Sequence, residues 1–168
     1  MADSLTPAVR LEPGRLIRRQ SMPPPASTRL FEATLLPVIR QFHAAEHIEW
    51  NERGVRSAME ALIGDARNGR LTLIERDGVL AGYFVVGFCF SLEFGGRFGL
   101  LDELYVLPAH RGGGIGKRAL DEVEALCIAE GLECVRLEVS DENDHAREIY
   151  RRRGYAMLPR RLMTKRIG

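Results

Sequence analysis

The sequence predicts an α/β domain built on a mixed, mostly antiparallel sheet with one parallel crossover and helices on both faces. Three observations carry this. Asp77-Gly78 stands between the apolar runs RLTLIER and VLAGYFVVGFCF, and a two-residue turn of that composition, which needs positive φ, joins antiparallel strands. A strand-like run, GLLDELYVL (99–107), precedes a helical pattern over 115–130 and a second strand-like run, CVRLEVS (134–140); strand, helix, strand implies a right-handed parallel crossover. Two further helical patterns precede the hairpin and supply helices for both faces of the sheet.

The chain's 168 residues suit one domain with a sizeable core. Residues 1–14 read as a flexible tail and 15–168 as that domain. Apolar residues make up 45% and charged residues 28%, the balance of a soluble globular protein. A net charge of +1 gives no reason to expect nucleic acid or a membrane surface as partner. No apolar run approaches the ~20 residues of a membrane span, and the N-terminus lacks the layout of a signal peptide. Cys89, Cys127 and Cys134 are too scattered for a disulfide framework or a zinc site. They read as small core residues in a reducing cytosol, so a cytoplasmic location is expected.

The elements follow in order. RLIRRQ (15–20) is a short first strand, and MPPPAS (22–27) interrupts regular structure. A helical pattern begins at Ser27 or Thr28; Pro37 either kinks it or marks a start near Leu36. Val38, Ile39 and Phe42 follow at helical spacing, and the pattern fades near Ile48. A second helix over 53–66 places Val55, Met59, Leu62 and Ile63 on one face. The hairpin strands come next, then SLEFGGRF as a longer connection to the strand 99–107. In the helix 115–130, Ile115, Ala119, Leu120, Val123, Leu126 and Cys127 share a face, and Gly131 ends it. A short helix in NDHAREIYRRRG is stopped by Gly154, and RLMTKRI (161–167) is expected as a last strand.

The stretch LPAHRGGGIGKRAL (107–120) spends four glycines at the mouth of a helix. A Walker phosphate loop is ruled out, because Arg111 and Arg118 occupy its first Gly and its Ser/Thr positions. A dinucleotide fingerprint fits Gly114-Ile115-Gly116-Lys117-Arg118-Ala119. That loop should open directly from its strand, and here residues 108–111 intervene. A ligand-free turn would need only one or two of the glycines. What remains is Arg-x-x-Gly-x-Gly: Arg111, Gly114 and Gly116.

With this loop the chain resembles the GNAT superfamily of acetyl-CoA-dependent N-acetyltransferases. LYVLPAHRGGGIGKRAL is similar to that family's strand–loop–helix core. Asn143, Ala146, Tyr150, Gly154 and Tyr155 are similar to its later Asn-x-x-Ala-x-x-x-Tyr-x-x-x-Gly-Tyr/Phe pattern. SLEFGG followed by LDELYV also resembles one branch of the superfamily, a likeness that names no substrate. The resemblance implies acetyl-CoA as co-substrate and a primary amine of a small molecule as acceptor; separately, His43, His47, His110 and His145 show no metal-ligand spacing around a carboxylate, so no metal is expected. Its alternative is an acyl-CoA-binding sensor or partner module without turnover.

The resemblance also implies site residues. Gly112, Gly113, Gly114, Ile115, Gly116 and Lys117, with Arg111, would meet the pyrophosphate. The first-turn N–H groups of a helix are unpaired and partly positive, and glycines let an anion approach them. Leu104, Tyr105 and Val106 match the bulged strand whose backbone meets the thioester carbonyl. Tyr150 matches the general acid, and Asn143 a residue near pantetheine, though Asn143 equally suits a helix cap. Glu103 is the preferred base, with Asp102 or water as alternatives. Neighbours on a regular strand face opposite sides, so either one carboxylate lies near the core or a bulge re-aims it. Glu46, Glu49, Trp50, Glu93 and Phe94 are expected to border the acceptor groove and to select a cation. A homodimer is possible through sheet edges.

Overall fold

The computed structural model describes residues 9–11, 15–18 and 25–167, with side chains from residue 33 onward. Contacts divide the chain into Met1–Leu137 and Glu138–Gly168. Residues 1–8, 12–14, 19–24 and 168 lie outside the described residues; of the expected tail Val9–Leu11 form a strand, and of the proline-rich stretch expected to break regular structure Pro25–Ser27 instead open a helix.

In the first unit the described strands form one sheet in the order β1 (Val9–Leu11), β2 (Arg15–Arg18), β3 (Gly69–Arg76), β4 (Val79–Ser91), β5 (Gly96–Val106) and β6 (Val135–Leu137). Neighbours are antiparallel except β5 and β6, which run parallel. Helices α1 (Pro25–Ala45) and α2 (Glu52–Gly64) lie between β2 and β3, and α3 (Ile115–Ala129) makes the parallel crossover. The expected fold class is the observed one.

Local chemistry explains the turns. Asp77 (φ 54°) and Gly78 (φ 78°) close the β3–β4 hairpin with Arg76 opposite Val79, as a two-residue turn with two positive φ angles requires. The β4–β5 connection is shorter than the sequence suggests: Ser91 pairs with Gly96, so β5 starts three residues before Gly99. Helix α1 continues through Pro37 because that residue is exposed. Its ring then faces solvent, and the helix sacrifices one internal hydrogen bond rather than a packed one. Asn51 caps α2 by accepting from the Gly54 N–H at 3.0 Å. Gly131 (φ 65°) ends α3 with Leu132 N donating to Cys127 O at 2.9 Å, a Schellman closure.

The two faces of the sheet carry separate cores. Leu71, Leu73, Tyr83 and Tyr105 pack with Leu35, Leu36, Val38 and Ile39 of α1 and Met59 of α2. Phe84, Val86 and Leu101 point the other way. On that side α3 buries the face the sequence predicts, from Ile115 to Cys127. A Cβ on Gly99 would come within 2.7 Å of Cys127 Sγ, so glycine lets α3 seat on β5. Burial pushes the Cys127 thiol up to about 11, which keeps it a neutral core group.

In the second unit α4 (Asp144–Arg152) is held at both ends by the residues of the Asn…Tyr…Gly-Tyr pattern. Asn143 accepts from Ala146 N at 3.0 Å. Gly154 (φ 89°) donates to Arg151 O, Tyr155 N donates to Tyr150 O at 3.1 Å, and the two tyrosine rings lie 5.6 Å apart. This is a Schellman stop with its apolar contact. Glu148 accepts from Arg151 and Arg152, which lower its pKa to about 2. The arginine run is thereby a charged helix face.

Two strand expectations are corrected. β6 has only three residues, ending at Leu137 rather than 140. RLMTKRI forms no strand, and Leu162, Met163 and Ile167 are exposed. Leu162 and Met163 are adjacent, so an extended chain sends them to opposite faces, and Ile167 follows three polar residues; no single face can be buried.

Gly82 shows how tightly the sheet is built. A Cβ there would fall inside the contact distance of the Tyr105 carbonyl oxygen. Gly82→Ala should lower unfolding free energy in urea by about 3 kcal/mol, the upper range of core overpacking.

Candidate active site

The site begins with one extra residue. Along β4 and β5, Val85 pairs with Glu103 and Val86 with Leu101, which leaves Asp102 without a partner. This bulge interrupts the alternation of the strand. Leu101 turns to the α3 core, while Asp102 and Glu103 both line a cavity on the α1–α2 face. The sequence problem of two adjacent carboxylates is solved by the backbone.

Glu103 is held on both oxygens. Tyr83, fully buried, donates its hydroxyl to Oε2 at 2.7 Å. Burial, reinforced by the Glu103 charge, raises the Tyr83 pKa strongly, so the phenol keeps its proton. His43, 9% exposed, meets Oε1 through Nε2 at 3.1 Å, and its Nδ1 is buried with no hydrogen-bond partner. A hydrogen on Nδ1 would be a buried donor without an acceptor. The ring therefore donates from Nε2 to Glu103. Neither His43 nor Tyr83 was among the site residues expected from sequence. The signal that would have found them is alternation back from Tyr105, which shares the core face with Tyr83 and puts Glu103 on the same side.

The cavity has a volume of about 550 Å³ and also takes Glu49 and Asn51 into its lining. Asp102 is exposed as a residue, yet burial by the surrounding walls raises its pKa. Of the residues expected to border the acceptor groove, Glu49 lines this cavity and the others do not gather here. Glu46 is exposed outside the lining. Trp50 packs on the core with its ring 5.5 Å from His43 and Arg40 stacked 5.8 Å from its centroid. Phe94 packs on Phe98 at 5.4 Å, with Arg136 over both rings. Glu93, beside it in the β4–β5 connection, does not line the cavity either.

Beyond Leu101, β5 offers a bare edge. Leu107 N donates to Ala81 O at 2.9 Å, so 81 and 107 form a hydrogen-bonded pair. The antiparallel ladder alternates, which makes 83/105 and 85/103 hydrogen-bonded pairs as well. Leu104 and Val106 then direct their N–H groups away from β4. Among the described residues no strand pairs with that edge past Leu101. Arg111 Nε donates to Val106 O at 3.0 Å, and its guanidinium stacks on Tyr105. The register break itself lies at Asp102, just before residues 104–106.

A 3₁₀ turn, Pro108–His110, carries the chain from this edge into the glycine loop. Gly112 (φ 82°) and Gly114 (φ 70°) adopt left-handed geometry, and Gly114 caps α3 with no side-chain bond. Ile115 is buried, so only its backbone faces the loop; Lys117 is exposed. A Cβ on Gly113 would lie 3.4 Å from Arg76 Nη1. Gly116 has neither positive φ nor any atom within 4 Å of such a Cβ. The fold does not require that glycine, and the space over the first turn is open. The loop thus fits a phosphate cradle. Among the described residues no cluster of side chains suits a metal, and no helix is long and apolar enough to cross a membrane.

A family model for the acetyltransferase (GNAT) family matches residues 36–155. The chain belongs to this family. It is 33% identical over 75 residues to thialysine N-epsilon-acetyltransferase of Bos taurus, covering 45% of this chain and 44% of that one. Against IAA acetyltransferase of Azospirillum brasilense it is 29% identical over 87 residues, 52% of this chain and 54% of that one. The chain therefore spans about half the length of these relatives. Among solved structures, an integron cassette protein from the mobile metagenome of Cole Harbour Salt Marsh superposes with a TM-score of 0.74 at 25% identity, covering 90% of both chains. A predicted acetyltransferase with acetyl-CoA from Clostridium acetobutylicum gives 0.67 at 17%, covering 79% and 88%. The GNAT fold inferred from the loop and from α4 is the fold observed.

Asp102 makes the site pH-sensitive in a defined direction. Its pKa is higher in the folded chain, so the folded state binds that proton more tightly, and stability falls as pH rises from about 4, the ordinary Asp value, through the raised one. Asp102→Asn should melt at a higher temperature than the parent at pH 7. The difference should shrink to nothing in melting curves below pH ~4.

Proposed function

We propose that this GNAT chain transfers an acetyl group from acetyl-CoA to the primary amine of a small, positively charged substrate. The observation that carries the reading is Gly116: a glycine the fold does not need, over open space, in the first turn of α3. Acetyl-CoA supplies the activated acyl group as a thioester. Gly112, Gly113, Gly114 and Gly116 leave the helix N–H groups accessible to its pyrophosphate, and Arg111 and Lys117 add positive charge. The outward N–H groups of Leu104 and Val106 are suited to polarise the thioester carbonyl. Glu103, on the same strand, takes the proton of the acceptor amine directly or through a water, with Asp102 beside it. Asn143 approaches pantetheine and Tyr150 protonates the departing thiolate, roles supported by the family pattern.

Thiol release from acetyl-CoA across an amine panel tests the reaction. Release without acetylated product, or with no amine at all, would leave an acyl-CoA-binding module.

Two variants test its parts. Gly116→Ala should leave the fold intact or raise stability by up to ~1 kcal/mol, as Gly-to-Ala changes in helices do. It should weaken coenzyme A binding in calorimetry by about tenfold, or ~1.4 kcal/mol. Unchanged affinity would make the loop a turn only.

Tyr150→Phe keeps the ring contact with Tyr155 and removes the hydroxyl. It should lower kcat by roughly 10²–10⁴-fold, the usual loss for a general acid, with acetyl-CoA affinity unchanged. A kcat close to the parent's would reduce Tyr150 to its packing role.

A further inference from the structure

We infer that the acceptor is a primary amine carried on an apolar body, an aryl-alkyl or branched alkyl amine with one cationic end, and that Gly87 sets the depth to which the body enters. The inference rests on the amine-transfer reading and narrows it.

The cavity is chemically two-ended. Glu103 and Val85 are opposite each other, and Gly87 and Leu100 form the next row on the same face. Helix α2 runs alongside. Asn51 at its start follows Trp50, whose ring meets His43 edge-on beside Glu103. Leu62, near its end, reaches Gly69, the partner of Gly87; a Cβ on Gly69 would lie 3.0 Å from the Leu62 side chain. One end therefore holds Glu49, Asp102 and Glu103, with Val85 across the strand pair from Glu103, while Met59, Leu62 and Leu100 wall the other. About 550 Å³ is room for a ligand of several carbons.

Charge and solvation select the ligand. The carboxylates complement one ammonium at the mouth. A polyamine would carry a second ammonium into the aliphatic end, where no described side chain of the lining can pair with it, and an unpaired buried charge is costly. An amino sugar would lose water from its hydroxyls with the same result. An apolar body gains by the burial.

Gly87 is the second, independent mark. Gly69, Gly82 and Gly99 are each required, because a Cβ would collide with Val86 O, Tyr105 O or Cys127 Sγ. Gly87 has no positive φ, and its Cβ would meet only Leu100 O, at 4.0 Å. A strand interior disfavours glycine. Nothing in the fold asks for one at this position, and its missing side chain opens the cavity floor.

The experiment compares the parent with Gly87→Val on methylamine, 2-phenylethylamine and spermidine. It reads thiol release from acetyl-CoA, amine binding by calorimetry without coenzyme, coenzyme A binding and melting temperature. In the parent, kcat/KM for 2-phenylethylamine should exceed that for the other two by about tenfold or more. Gly87→Val should melt no lower, bind coenzyme A equally and lower the ratio of kcat/KM for 2-phenylethylamine to that for methylamine by roughly tenfold or more. If spermidine is preferred, or if folded Gly87→Val keeps the parent's size preference, the inference is overturned. If no amine is acetylated but 2-phenylethylamine binds and Gly87→Val abolishes that binding, the pocket assignment stands and the transfer reading falls. Acetylation of amines indifferent to Gly87→Val gives the reverse.

Discussion

The unpaired Asp102 is the constraint on which the rest of this unit turns. Without it, strict alternation would send Leu101 to the face that Glu103 occupies and leave the α3 side short of a buried residue. With it, β5 serves two masters. Its first half is a conventional sheet strand, buried by α3 and paired on both edges. Its second half keeps the pairing to β4 but brings Glu103 under Tyr83 and His43 and leaves Leu104 and Val106 facing an open edge. One residue of slippage thus separates the part of the strand that stabilises from the part that presents polar groups.

The hydrogen bonds around Glu103 show why that arrangement persists. A carboxylate partly withdrawn from water must find donors, and here each oxygen has one from a residue that is itself nearly or fully buried. Tyr83 and His43 are in turn fixed by Phe42, whose ring lies 6.4 Å from Tyr83 and 6.0 Å from His43. The polar site is anchored in the aromatic core, so its geometry is set by packing and not by a mobile loop.

Much of this was legible in the sequence, for local reasons. Asp77-Gly78, Gly131 and Gly154 each impose a backbone angle that few other residues accept, and each marks the boundary that it predicts. The buried face of α3 follows from spacing alone. What was not legible depends on partners remote in sequence. His43 and Glu103 are sixty positions apart and meet only because α1 crosses the bulged strand. Trp50, Glu93 and Phe94 looked alike as aromatic and acidic candidates; the fold gives Trp50 to the core and Phe94 to a cluster with Phe98 and Arg136. The short β6 and the absent strand over 161–167 failed for a different reason, since apolar content was read as extended structure without a face to bury. The Asn…Tyr…Gly-Tyr pattern now has a mechanical meaning too, as the start and stop of α4.

Cys127 has a use beyond packing. Its thiol sits between α3 and Gly99 with its ionisation suppressed, while Cys89 and Cys134 are only partly covered. A thiol-directed alkylating reagent needs the thiolate and a path to it. Cys127 can become modified only when α3 lifts from the sheet, so its labelling rate is a clock for the opening of that layer. The same chain then carries, in a single sulfur atom, a means of timing how often the crossover helix leaves the strand that bears the site.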